Sequence, residues 1–250
     1  MCACACWISE ACAIAWWIGG GVRSRVPGVL PDTQRVRSRV PGGRTGRKRP
    51  GVKVLYLLSS PQRSGKTRWL QALLTRRDAL GVPTYGVLAP GRWASVDGIL
   101  AKVGIDNLLL PDRTLLSFAS PASAGPAGDG GCAQSRRAGL GWDISDSALL
   151  HVNDHFEALL ARRGELAARP GVMVVDELGP LELARGEGLR SALALLDAGP
   201  CAAWEDAVVV VRPALLEAAA EGLRDAWGEP EPLQPGSRVP RRLLGGTGWD

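Results

Sequence analysis

Gly65-Lys66-Thr67 and, far downstream, Asp176-Glu177 are the residue types that phosphate chemistry needs. A polyphosphate calls for backbone amides pointing inward, a cation that reaches its outer phosphates, and a hydroxyl that can hold magnesium. The stretch Ser60-Pro61-Gln62-Arg63-Ser64-Gly65-Lys66-Thr67 can supply all three. It follows the pattern G-x-x-x-x-G-K-[ST], except that Ser60 stands where the first glycine would be. In this pattern Lys66 reaches the β and γ phosphates, Thr67 ligates Mg²⁺, and the helix that opens here adds its N-terminal partial charge. Asp176 suits direct or second-sphere magnesium binding, and Glu177 is placed to polarise a water for attack on the γ phosphate. A Gly-Lys-Thr string can merely start a helix, and two acids can merely cap a strand. Together, each at the end of an apolar run, they are far more specific.

The elements that must position these residues alternate. Val52–Leu58 is a short apolar run suited to a buried parallel strand. Gly65–Ala79 spaces Trp69, Leu70, Leu73 and Leu74 as a helix, with Arg76 and Arg77 near its C-terminal end. Thr84–Ala89 reads as a second strand, and Ile99–Phe118 as a hairpin turning at Pro111-Asp112-Arg113. Ala119–Gly141 is rich in Ser, Ala, Gly and Pro and reads as a long mobile loop. Ser145–Arg163 is predicted helical. Val172–Val175 is a strand that runs into Asp176, Gly188–Leu196 a short helix, Ala207–Val211 a strand and Ala214–Trp227 a helix. The fold class expected is α/β: a mostly parallel, doubly wound sheet with helices on both faces and a small β-hairpin insertion. In such a sheet ligands bind outside the carboxyl ends of the strands, where both the loop and the acid pair would lie.

Composition narrows the function further. The chain has 250 residues, 46% of them hydrophobic, enough for one good core. Its net charge of +5 is local: residues 21–50 hold nine Arg or Lys against Asp32 alone, and residues 51–250 are slightly acidic. The body therefore carries no field for a polyanion, and any nucleic-acid role would rest on this Arg-rich tail. The tail also repeats Val-Arg-Ser-Arg-Val-Pro-Gly, at Val22–Gly28 and Val36–Gly42. Its composition cannot bury a core, and the plainer reading is an untethered extension. The first 22 residues are mostly apolar but lack a basic start and are interrupted by Glu10, which fits neither a signal peptide nor a membrane span. Four of the six cysteines, Cys2, Cys4, Cys6 and Cys12, crowd the N-terminus without the spacing of a disulfide framework or a zinc site. The organisation expected is an extension over 1–50, a nucleotide-binding domain over 51–228 and a loosely ordered tail over 229–250, in a cytoplasmic protein with no membrane attachment.

Gly65-Lys66-Thr67 followed by Asp176-Glu177-Leu178-Gly179-Pro180-Leu181-Glu182-Leu183 resembles the THEP1-type nucleoside-triphosphatases. Val208–Ala218 (VVVVRPALLEA) is similar to a strand-to-helix segment of their bacterial members, and Gly86–Leu88 with the hairpin after it adds to the likeness. The resemblance spans roughly Val52 to Trp227. It implies a P-loop NTPase fold and Mg²⁺-dependent hydrolysis of ATP, GTP or related triphosphates with little base selectivity. It carries Gly65, Lys66 and Thr67 over to phosphates and metal, and Asp176 and Glu177 to metal and water. Glu182 matches the motif and reads more readily as a structural residue.

Ser60 departs from the motif: it is small but lacks the freedom of glycine at positive φ. Arg212, just after a strand, could sense the γ phosphate or simply lead a helix; Arg136 and Arg137 read as a solvated pair, His151 and His155 as surface or packing residues, and Trp142 as an anchor for the loop. Two competitors to hydrolysis stand beside it: a phosphotransferase that excludes water, and a nucleotide-binding switch without turnover.

Overall fold

The computed structural model describes residues 53–122 and 141–245. The apolar N-terminal segment, the Arg-rich repeats, most of the expected loop with Cys132, Arg136 and Arg137, and the last five residues lie outside the described residues.

The apolar runs form the strands expected of them. Val54–Ser59 (β1) leads through the Ser60–Gly65 loop into helix Lys66–Ala79 (α1), followed by strand Thr84–Leu88 (β2). Three antiparallel strands come next, Gly91–Val96 (β3), Ile99–Leu110 (β4) and Thr114–Pro121 (β5), and Trp142–Ile144 (β6) joins them. Helix Asp146–Ala161 (α2) starts at Ser145, whose hydroxyl accepts from the Ala148 amide, and a short helix Arg163–Leu166 (α3) follows. Then come strand Gly171–Leu178 (β7), helices Pro180–Arg185 (α4) and Arg190–Asp197 (α5), strand Trp204–Val211 (β8), helix Leu216–Trp227 (α6) and strand Glu231–Leu233 (β9).

Among the described residues the nine strands make one sheet, ordered β6-β5-β4-β2-β7-β8-β1-β9, with β3 paired to β4. The sheet is mixed, not mostly parallel: β2, β7, β8, β1 and β9 run parallel, whereas β3 to β6 are antiparallel. Nor is the hairpin a small insertion, because β4 pairs directly with β2 and extends the central sheet. β3 has a signal in Asp97-Gly98, where φ angles of 49° and 78° make the tight turn into β4. Ala119–Pro121, expected within a loop, complete β5.

Side chains alternate cleanly across the parallel strands. Leu55, Leu57, Met173, Val175, Ala207, Val209 and Val211 face one core, covered by α2, α4, α5 and α6. Val54, Tyr56, Leu58, Val172, Val174, Val208 and Val210 face the other, covered by α1 and the C-terminal segment. Burial on both faces is what a run such as Ala207–Val211 demands: no face of it is fit for water.

The 229–250 stretch is not a loose tail as far as Gly245. β9 pairs with β1, and Leu233, Val239 and Leu243 are buried against α1 and the sheet. Arg242 donates to Asp206 at 2.6 Å in a pair only 14% and 10% exposed, and buried Arg77 donates to the Leu243 carbonyl and, at 2.9 Å, to Thr84 Oγ1. Apolar residues spread among Gly and Pro carry little periodicity, which hid this docking from the sequence. Leu243→Ala should therefore cost about 2–5 kcal/mol of unfolding free energy in urea denaturation, the range for emptying a fully buried leucine site.

Candidate functional site

The loop after β1 and the acid pair near the end of β7 converge at the carboxyl ends of the parallel strands, with β8 lying between β1 and β7. Gly65 takes a left-handed conformation, φ 94°, as it caps α1, and it supplies no side-chain acceptor to the amides of the first turn. Those amides and the helix dipole form a positive end suited to an anion. The other left-handed loop position is Arg63, at φ 62°, where a side chain makes it strained. Ser60 is not among the residues at positive φ, so the turn does not need the freedom of glycine there.

Lys66 folds back over the loop, its ammonium donating to the carbonyls of Ser60 at 2.7 Å and Pro61 at 2.9 Å. Burial pushes its pKa below the usual lysine value, while Glu177 and Asp176 oppose the shift. One residue on, Thr67 lies near enough to Asp176 for its hydroxyl to favour the charged carboxylate, which brings the loop to the acid strand. Asp176 is 5% exposed and accepts from the Ala89 amide at 2.9 Å. Burial drives its pKa up to about 7 against the pull of those two groups, and the neighbouring Glu177 adds to the rise. A carboxylate this short of compensating charge, beside a hydroxyl, is a hard-oxygen donor set suited to Mg²⁺, which takes one or two protein ligands and completes its shell with water and phosphate. Among the described residues no three His, Cys, Asp or Glu side chains gather into a self-sufficient metal cage.

Adjacent residues of a regular strand point to opposite faces, which would separate Asp176 from Glu177. A bulge changes this. Val175 pairs with Val209 and Leu178 with Val211, so the acid pair occupies an irregular step in β7. Glu177 sits at φ 76°, in the left-handed region, and its side chain is 45% exposed. Arg212, at the end of β8, donates to Glu177 Oε1 through Nε at 3.0 Å and Nη2 at 2.7 Å. So half-exposed a pair adds little stability; it holds the carboxylate in one orientation.

Glu182 is structural. Its Oε2 accepts from Gly179 N at 2.8 Å, closing the start of α4, and its Oε1 accepts from Leu189 N at 2.9 Å. His155 is a packing residue, its Nε2 lying 3.2 Å from the Gly86 carbonyl and 3.1 Å from that of Leu110, and His151 turns to the Ser147 carbonyl. Pro61, Gln62, Arg63 and Ser64 form the exposed crown of the loop, steadied by a bond from Ser64 N to the Pro61 carbonyl at 3.4 Å.

One cation of the site has no signal in the local sequence. Lys102, on β4, lies within electrostatic reach of Glu177, Asp176 and Arg63. Its ammonium sits 4.9 Å from the centre of the Trp142 ring.

No protein-family model matches the chain, and no curated protein matches it. Two solved structures are similar to it. One is the solution structure of a human cancer-related nucleoside triphosphatase, 16% identical, with a TM-score of 0.49 over 77% of this chain and 94% of that one. The other is the crystal structure of THEP1 from the hyperthermophile Aquifex aeolicus, 17% identical, with a TM-score of 0.46 over 77% of this chain and 95% of that one.

The left-handed backbone at Glu177 has a measurable consequence. Glu177→Gly should be roughly 0.5–1 kcal/mol more stable than Glu177→Ala, because relief of the left-handed strain outweighs the added entropy of the unfolded chain. Both variants lack the Arg212 pair, so chemical denaturation of the two side by side isolates the backbone effect.

Proposed function

We propose that the protein is a Mg²⁺-dependent nucleoside-triphosphatase of P-loop type that converts ATP, GTP or related triphosphates to diphosphate and phosphate. The observation that carries this reading is the approach of Lys66 and Thr67 to buried Asp176, which supports a common site for a loop suited to phosphate and a buried acid. A phosphate chain would lie against the first-turn amides of α1. Lys66 would exchange its bonds to the Ser60 and Pro61 carbonyls for phosphate oxygens. That exchange limits the desolvation cost of binding, because its ammonium is already partly out of water.

Thr67 and Asp176 would hold the magnesium, whose chemistry is to neutralise charge on the phosphate oxygens. Glu177, aimed by the bulge and held by Arg212, would accept a hydrogen bond from the attacking water and orient it. The bulge favours hydrolysis over bare binding, since left-handed backbone at a non-glycine residue is a cost that a mere strand cap has no reason to bear. The low base selectivity expected from the THEP1 resemblance belongs to the same reading.

Phosphate release with Mg²⁺ and ATP or GTP tests it. Lys66→Ala and Glu177→Gln should each lower kcat by about 100-fold or more, the scale of losing an electrostatic or general-base contribution. Release equal to wild type in both would refute it. Ser60→Gly should leave kcat within about twofold, because Ser60 bears no left-handed strain for glycine to relieve.

A further inference from the structure

β4 is the longest of the described strands, and only its end pairs with the parallel sheet: Leu108, Leu109 and Leu110 face Leu88, Val87 and Gly86. Leu88 closes β2, so the earlier part of β4, with β3 beside it, projects past the carboxyl edge of the sheet. Lys102 lies six residues ahead of Leu108, up to about 20 Å farther at the ordinary rise of a strand. The projecting ribbon therefore overhangs the edge where the loop and the acid pair lie, and the charges that Lys102 senses are those of Glu177, Asp176 and Arg63.

Three features hold this lysine in place. Its stem runs over Gly91, where an added Cβ would come within 2.8 Å of Lys102 Cε, so β3 keeps that path clear. Its ammonium rests on Trp142, a cation–π contact that orients the charge without requiring an acceptor. The ribbon itself is tied by Arg92, which donates to Asp106 Oδ1 and Ser117 Oγ at 3.1 Å each. A lysine whose only task was solubility would have no need of this seating.

We propose that Lys102 reads the terminal phosphate of the bound nucleotide, making the site discriminate triphosphate from diphosphate. This rests on the nucleotide-site reading above. Lys66 belongs to the loop and meets the phosphate chain from the α1 side; Lys102 arrives from a separate element. An anion brought next to Asp176 and Glu177 needs a positive charge near those carboxylates, and the γ phosphate is the group that a diphosphate lacks. Burial lowers the Lys102 pKa while both carboxylates raise it, as expected of a cation that a further anion would stabilise.

Titration calorimetry with Mg²⁺, using ADP and the β,γ-imido analogue of ATP as probes, tests the assignment. Wild type should bind the imido analogue more tightly than ADP. Lys102→Ala should lose about tenfold or more of that preference, the scale of one charge-assisted contact, with ADP affinity kept within about twofold. Retained ADP binding also shows that the variant folds. Lys102→Arg should keep most of the preference, and Trp142→Leu, which removes the seat but not the charge, should fall between. An unchanged preference in Lys102→Ala, or parallel loss of both probes, overturns the role of Lys102 and leaves the nucleotide site standing. Failure of wild type to bind either probe overturns the nucleotide site and this role together.

Discussion

A carboxylate taken out of water must find donors or a cation, and the site is organised around meeting that demand for Asp176. The side chain is nearly closed off from solvent at the end of a central strand. Its hydrogen-bond donor is the Ala89 amide just after β2, and the Thr67 hydroxyl in the first turn of α1 lies near enough to favour its charge. Three neighbouring elements thus meet at this side chain, and its pKa still stands near 7. In the proposed function, the unmet part of that demand is what a magnesium ion would answer. Charge withheld from full compensation in the folded protein is a common way to build a binding site.

The rest of the architecture serves to hold that carboxylate at the right height. β7 is buried on both faces, so its register is strongly specified: a slip of one residue would exchange its two hydrophobic sets. The bulge at Asp176-Glu177 departs from this regularity only at the strand end, after the pairing that fixes the register is complete. β8 then sets Arg212 beside Glu177, and β1 on its far side delivers the loop. The C-terminal segment packs Leu243 and Val239 beneath α1, and the indole of Trp69, on the helix's first turns, donates to the Ser237 carbonyl at 3.1 Å. The helix that presents Lys66 and Thr67 is thus supported by residues at the opposite end of the chain.

The antiparallel half of the sheet does something different. Its projecting ribbon is exposed, with Trp93, Val96, Ile99 and Leu100 open to solvent, and it contributes little to either core. Its connection to the site is electrostatic, through Lys102. An element that leaves apolar groups in water while placing a seated cation next to two acids is better understood by what it positions than by what it stabilises.

Much was legible in the sequence because it was local. Apolar runs such as Val54–Leu58 and Ala207–Val211 have no stable place except between two covered faces, and a loop ending in Gly-Lys-Thr between such a strand and a helix is enough to suggest the chemistry proposed for it. The roles proposed for Lys66, Thr67, Asp176 and Glu177 rest on residue type and on the ends of elements. The sequence could not decide relations between distant segments. That β8 lies between β1 and β7, that 229–245 docks under α1, and that the hairpin continues the sheet are matters of pairing partners, which no local pattern encodes. Glycine's absence at position 60 looked like a defect until the backbone showed its left-handed turns at Arg63 and Gly65 instead. Lys102 is one lysine in an ordinary amphipathic strand; only the fold, by extending β4 past the edge of its neighbours and pairing β6 with β5 so that Trp142 seats the ammonium, brings that charge within electrostatic reach of the acids.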